Sequence, residues 1–164
     1  MTDHRIKFHL HQAYLYASQY SHDDNTQVGA IVITSWYNYT YGANRFTSLK
    51  QCLPSNLERS RKYPRIEHAE RDAIFKATRE GITLNNASIV CPWATCSDCA
   101  RAIVLSGIKT VYAHKEALDK TTERWKDSIE VAKEILKDGG VEYILWSGKV
   151  GDCTNLFDGE IWYP

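Results

Sequence analysis

From residue 87 to residue 146 the chain alternates between short apolar runs of strand length and longer segments of helical period. Residues 87–91, 110–113 and 141–146 read as strands. Residues 96–106 and 121–137 read as helices, the second with Trp125, Ile129, Ala132, Ile135 and Leu136 along one side. Gly107 ends the first helix and Gly139-Gly140 the second. Such alternation predicts an α/β layer fold with helices on both faces of a sheet. The N-terminal half adds a helix over residues 5–21, whose Ile6, Leu10, Ala13, Tyr14 and Ala17 share a face. His22-Asp23-Asp24-Asn25 breaks that pattern, and the β-branched run 28–33 predicts a buried strand. A second strand is expected over 37–41, with the connection near Ser35. Residues 45–65 hold Pro54 and Pro64 and no sustained period, so they read as irregular; a helix then runs from 67 to 79, terminated by Gly81. The acidic segment 147–164 reads as a packed or partner-bound tail.

A chain of 164 residues is long enough for one domain with its own core. Lys plus Arg is 20 and Asp plus Glu is 20, a balance that disfavours a dedicated nucleic-acid binder. The N-terminus lacks the apolar core of a signal peptide, and no apolar run reaches membrane-span length. With five cysteines and no signal peptide, reduced thiols in a cytoplasmic setting are expected. There, clustered cysteines serve metals or catalysis more often than disulfides.

One cluster stands out: His68-Ala69-Glu70 together with Cys96-Ser97-Asp98-Cys99. A histidine alone carries little information. Two cysteines three apart at a helix start share one face and suit a tetrahedral metal or a redox pair. A structural zinc site would need a fourth Cys or His, and Cys52, Cys91 and Cys153 offer no second paired spacing. Three protein ligands and an open position describe a catalytic zinc. Residues two apart do not share a helix face, so His68 and Glu70 can address one centre only from a helix's first turn, where Pro64-Arg65-Ile66 places them. A carboxylate beside such a metal can take a proton from an attacking water and return it to a leaving group.

At these residues the chain resembles the zinc-dependent cytidine and deoxycytidylate deaminase superfamily, whose signature is a His-x-Glu followed by Pro-Cys-x-x-Cys. The resemblance is nearest to the deoxycytidylate branch and extends roughly from residue 13 to residue 141. It includes Gln27-Val28-Gly29-Ala30, Gly42-Ala43-Asn44, Glu67-His68-Ala69-Glu70-Arg71, the run from Cys96 to Ile103, and Gly107-Ile108. It implies a three-layer αβα fold with a mixed five-stranded sheet. It also implies one catalytic Zn²⁺ on His68, Cys96 and Cys99, Glu70 as proton carrier, and hydrolysis of dCMP to dUMP and ammonia. Two departures are visible. Thr95 stands where the family usually has proline, and a Thr95–Asp98 side-chain cap is expected to preserve the helix start. Asp72 stands where asparagine is common.

For the substrate, the resemblance points to Asn44 and Ala69 beside the base or sugar, and Trp93 is either a pocket wall or core. Between residues 45 and 65, Arg45, Lys50, Arg59, Arg61, Lys62 and Arg65 face one acid, Glu58. Beside a deaminase site that surplus suits a phosphate clamp, with Arg45, Arg59 and Arg65 as candidates. Gln27 and Gly29 lie where the branch places part of an effector site, so dCTP or dTTP with Mg²⁺, and a homo-oligomer such as a hexamer, are expected by resemblance. Rival readings remain: a deaminase of the free nucleoside or of a C5-modified cytosine nucleotide, a base-editing enzyme on tRNA or DNA, and a non-catalytic zinc module.

Overall fold

The computed structural model describes residues 1–34 and 38–164. In chain order its elements are α1 (Asp3–Tyr20), β1 (Gly29–Ile33), β2 (Tyr39–Ala43), β3 (Arg45–Phe46), α2 (Pro54–Leu57), α3 (Arg59–Lys62), β4 (Ile66–Glu67) and α4 (Ala69–Arg79). Then follow β5 (Ser88–Val90), α5 (Ser97–Ser106), β6 (Thr110–His114), α6 (Lys115–Leu118), α7 (Glu123–Asp138), β7 (Glu142–Trp146), β8 (Asn155–Phe157) and β9 (Glu160–Trp162). The expected turn at Ser35 and the first residue of the expected second strand, Tyr37, lie outside the described residues.

Five strands form one mixed sheet in the order β2-β1-β5-β6-β7. β1 pairs antiparallel with β2 and with β5, whereas β5–β6 and β6–β7 are parallel. Alternation along the strands divides the core in two. Ala30, Val32, Ile89 and Val111 face Ala73 and Ala77 of α4, Ile103 of α5 and Leu136 of α7. Ile31, Ile33, Val90 and Tyr112 face Ile6, Leu10, Ala13 and Tyr14 of α1. The result is the three-layer αβα arrangement with the mixed five-stranded sheet expected above. Two glycines permit the close layer approach: a Cβ on Gly29 would lie 2.1 Å from Ala13 O, and one on Gly42 would lie 2.1 Å from Ala69 O. Gly42 thus lets the sheet touch the first turn of α4, the turn that carries the site.

Helix ends follow local chemistry. Pro54 occupies the first turn of α2, where its missing N–H costs nothing. Gly81 (φ +70°) and Gly107 (φ +84°) adopt the left-handed conformation beyond α4 and α5. The segment read as irregular contains the 3₁₀ turn Leu49–Gln51 and two single-turn helices, α2 and α3, all too short to show a period. Residues 147–164 fold back as the hairpin β8–β9. Gln27 N donates to Leu156 O, Gly159 N to Asn25 O, and Asp158 N to Thr26 Oγ1, so the hairpin is sewn to the loop before β1.

Candidate active site

β4 delivers the chain into α4 so that His68 is the N-cap, with extended backbone (φ −75°, ψ 153°), and Glu70 lies in the first turn. An N-cap residue projects off the helix end, which lets His68 and Glu70 face one centre although they are two residues apart. Cys96 is the N-cap of α5, also extended, and Cys99 is buried in that helix's first turn. The two helix starts face each other. His68 Nδ1 lies 3.4 Å from Cys96 Sγ and 3.5 Å from Cys99 Sγ, and the three donor atoms all fall within 4.8 Å of one another. Zinc–nitrogen bonds of about 2.0–2.1 Å and zinc–sulfur bonds of about 2.3 Å at tetrahedral angles separate N from S by about 3.6 Å. Both nitrogen–sulfur separations therefore match those of a zinc site.

The electrostatics agree with a cation there. The Cys96 thiol is lowered to about 4 by the hydrogen bond from Cys99 and then by the one from His68. Cys99 moves the opposite way because it is the donor to Cys96, so the pair shares a proton that a bound cation displaces. Glu70 is 4% exposed; burial raises its carboxyl, and charge at Cys96 raises it further.

The expected Thr95–Asp98 cap does not form. Cys96 is the N-cap, so Thr95 sits one residue too early, and its buried Oγ1 has no hydrogen-bond partner among the described residues. Ser128 Oγ of α7 instead accepts from Ser97 N at 3.1 Å, while Asp98 pairs with Arg101 and Arg71. Asp72 has a clear role. Its carboxylate accepts from Ala43 N (3.1 Å), takes Arg45 through two bonds at 3.0 Å, and meets Lys76 Nζ at 2.8 Å. An asparagine would match neither cation's charge.

His68 and Cys96 line a cavity whose wall also includes Asn44, Ala69, Trp93 and Glu70. Asn44 Oδ1 accepts from Val28 N (2.8 Å) and Ser21 Oγ (2.6 Å), and Nδ2 donates to Thr26 O (2.7 Å), so its amide also fastens the wall. Arg45, Arg59 and Arg65 do not line the cavity. Arg45 is taken by Asp72, Arg65 donates to Arg61 O, and Arg59 lies over the Tyr63 ring. The Gln27 backbone N–H donates to Leu156 O of the hairpin, and Gly29 packs closely against Ala13 of α1.

The wall also includes residues the motifs did not reveal: Lys62, Tyr63, Arg124, Trp125 and Phe157. Trp125 meets His68 edge-on at 5.9 Å, Tyr63 meets Trp125 at 6.0 Å, and Phe157 stacks on Trp93 at 4.1 Å and 15°. Lys62, 6% exposed, is neutralised by Asp23 at 2.8 Å. The available signal was the aromatic residues in segments that otherwise read as a plain amphipathic helix and a tail.

The sequence pattern described as the cytidine and deoxycytidylate deaminase zinc-binding region matches residues 3–115. An uncharacterized deaminase from the luxG 3′ region of Aliivibrio fischeri is 31% identical over 127 residues, 77% of this chain and 83% of that protein. The deoxycytidylate deaminase of Enterobacteria phage T2 is 34% identical over 100 residues, 61% of this chain; the match spans about half (48%) of the phage protein. Among solved structures, the dCMP deaminase of cyanophage S-TIM5 in complex with dCMP and dUMP superimposes with a TM-score of 0.68 at 26% identity, over 88% of this chain and 98% of that one. No described helix is long and apolar enough to cross a membrane.

Proposed function

Because this chain belongs to the cytidine and deoxycytidylate deaminase family, we propose that it is a zinc-dependent enzyme that hydrolyses dCMP to dUMP and ammonia. The observation that carries this reading is the meeting of His68, Cys96 and Cys99, with His68, Cys96 and the buried Glu70 lining one cavity. The phage relatives supply the choice of nucleotide: a homologue in phage T2 is a deoxycytidylate deaminase, and the S-TIM5 enzyme holds dCMP and dUMP.

Zinc on His68, Cys96 and Cys99 would supply Lewis acidity, lowering the pKa of a water toward about 7. The chain's own groups do the rest. Glu70 takes one proton from the attacking water and passes it to ring N3 as C4–O forms; it then takes the second proton from the new C4 hydroxyl and gives it to the amine, so C4–N breaks, C4=O remains and ammonia leaves. Its burial suits it to hold that proton between steps. The amide of Ala69, first residue of α4 and free of an intrahelical acceptor, can donate to the base carbonyl. Trp93 and Trp125 wall the base, with Phe157 behind Trp93, and exclude water from the ring faces.

The test is a panel of cytidine, deoxycytidine, CMP, dCMP and dCTP, followed by the ultraviolet change on loss of the amine. dCMP is expected to have the highest kcat/KM. Faster turnover of deoxycytidine would assign the enzyme to the free nucleoside.

A further inference from the structure

We propose that Arg124, in the first turn of α7, receives the substrate's 5′-phosphate. The proposal rests on the dCMP reading above and names the residue that makes that substrate a nucleotide rather than a nucleoside. The argument is one of charge at the cavity wall. Among the described residues the wall presents two permanent cations, Lys62 and Arg124. Lys62 is buried and held by Asp23 at 2.8 Å, and Asp23 Oδ1 also accepts from Asn25 N, so this pair is closed and carries no net charge. The basic run from 45 to 65 contributes nothing further to the wall, because Arg45 is spent on Asp72 while Arg59 and Arg65 lie off it.

Arg124 differs on each count. It is exposed, it lines the cavity, and it forms no ion pair among the described residues. The acid beside it, Glu123, is held by Lys126 at 2.5 Å. Thr122, on the same wall, has an Oγ1 that is buried and without a hydrogen-bond partner among the described residues, a donor open to an anion's oxygen. A planar guanidinium with parallel N–H groups grips a phosphate through two oxygens, which an ammonium cannot. Trp125, next in sequence, meets His68 edge-on at 5.9 Å. One turn of helix thus spans from the metal ligands to the outer wall, and a nucleotide with its base at the metal must direct its phosphate outward. These residues lie beyond 3–115, the region matched to the family, so this chain supplies the contact from its own C-terminal part.

The experiment compares kcat/KM for dCMP and deoxycytidine in the zinc-loaded enzyme and in Arg124→Ala, Arg124→Lys, Arg59→Ala and Arg65→Ala. Binding of dUMP is followed in parallel by tryptophan fluorescence, and zinc content and thermal midpoint are recorded. One lost charge-assisted contact is worth roughly ten- to a hundredfold in affinity. Arg124→Ala should therefore narrow the dCMP-to-deoxycytidine ratio at least about tenfold and weaken dUMP similarly, with zinc content retained and Arg124→Lys intermediate. An unchanged ratio and unchanged dUMP affinity in Arg124→Ala would overturn the assignment, as would the same loss in Arg59→Ala or Arg65→Ala instead. An unmodified enzyme that prefers deoxycytidine would overturn the dCMP reading itself, a result visible before any variant is made.

Discussion

At the scale of single residues, the site depends on two side chains leaving the ends of two helices. His68 and Cys96 are both N-caps, and neither makes a side-chain cap bond. Neither helix takes from its own N-cap side chain a contact usually worth about 1 kcal/mol; α5 takes one from Ser128 instead, and each N-cap side chain faces the other. Glu70, one position into α4 beyond Ala69, then has a single task that geometry separates from metal binding. Glu70→Gln keeps the shape but cannot accept and return a proton. Zinc content should match the parent, while kcat for dCMP falls at least about a hundredfold. Turnover within a few-fold of the parent would move the proton carrier elsewhere. The spacing made this arrangement legible in the sequence, because Cys96 and Cys99 share a helix face and His68 and Glu70, two apart, can converge only from a helix start. The phosphate contact proposed for Arg124 was not legible there. Charge count drew attention to residues 45–65, yet a count cannot show that Asp72 takes Arg45.

At the scale of elements, strands and long helices were readable because their periods run over enough residues, and their boundaries agree to within a few positions. What escaped was short or held from elsewhere: the one-turn helices α2, α3 and α6, the cap on α5 that comes from Ser128, and the hairpin β8–β9. A two-stranded hairpin of three residues per strand is marginal by itself. This one persists because the loop over 25–27 accepts and donates its backbone bonds, and because Lys120 lies over Phe157 and Trp162. Its position against Trp93 gives the C-terminal segment a place in the site. Phe157→Ala removes a parallel ring at 4.1 Å, a contact worth about 0.5–1.5 kcal/mol beyond area burial. Trp93 would gain freedom at the cavity wall, so KM for dCMP should rise about three- to tenfold with a smaller change in kcat. An unaltered KM in Phe157→Ala would reduce the hairpin to packing.

At the scale of the whole molecule, one buried histidine ties the layers together. His114 ends β6 and is fully buried. Its Nε2 lies 2.9 Å from Gly148 O, which can only accept, so Nε2 carries the proton and Nδ1 accepts from the Tyr14 hydroxyl of α1 at 2.7 Å. The ring also stacks near Trp162 of the hairpin and tilts against Trp146 of β7. Helix, sheet and hairpin therefore meet on a buried ring, and the Glu116 carboxylate lies 2.9 Å from its Nε2. Burial lowers its pKa from 6.5, more than the Gly148 bond and Glu116 raise it; burial lowers His9 and His22 as well. The sign follows from which state takes up protons. Below about pH 6.5 these three histidines bind protons in the unfolded chain and resist them in the folded one, so their contribution is full above that pH and declines as pH falls. Each such histidine contributes a slope of at most about 1.4 kcal/mol per pH unit. The difference in denaturant midpoint between the parent and a His114 variant should thus be constant from pH 8 to about pH 6.5 and narrow below it. His114→Gln should be less stable at pH 8, since one amide cannot serve both Tyr14 and Gly148, yet fall less steeply below pH 6.5. Acid loss of zinc adds the same slope to both proteins, so the difference between the two curves isolates His114; parallel curves would show that the ring does not titrate with unfolding.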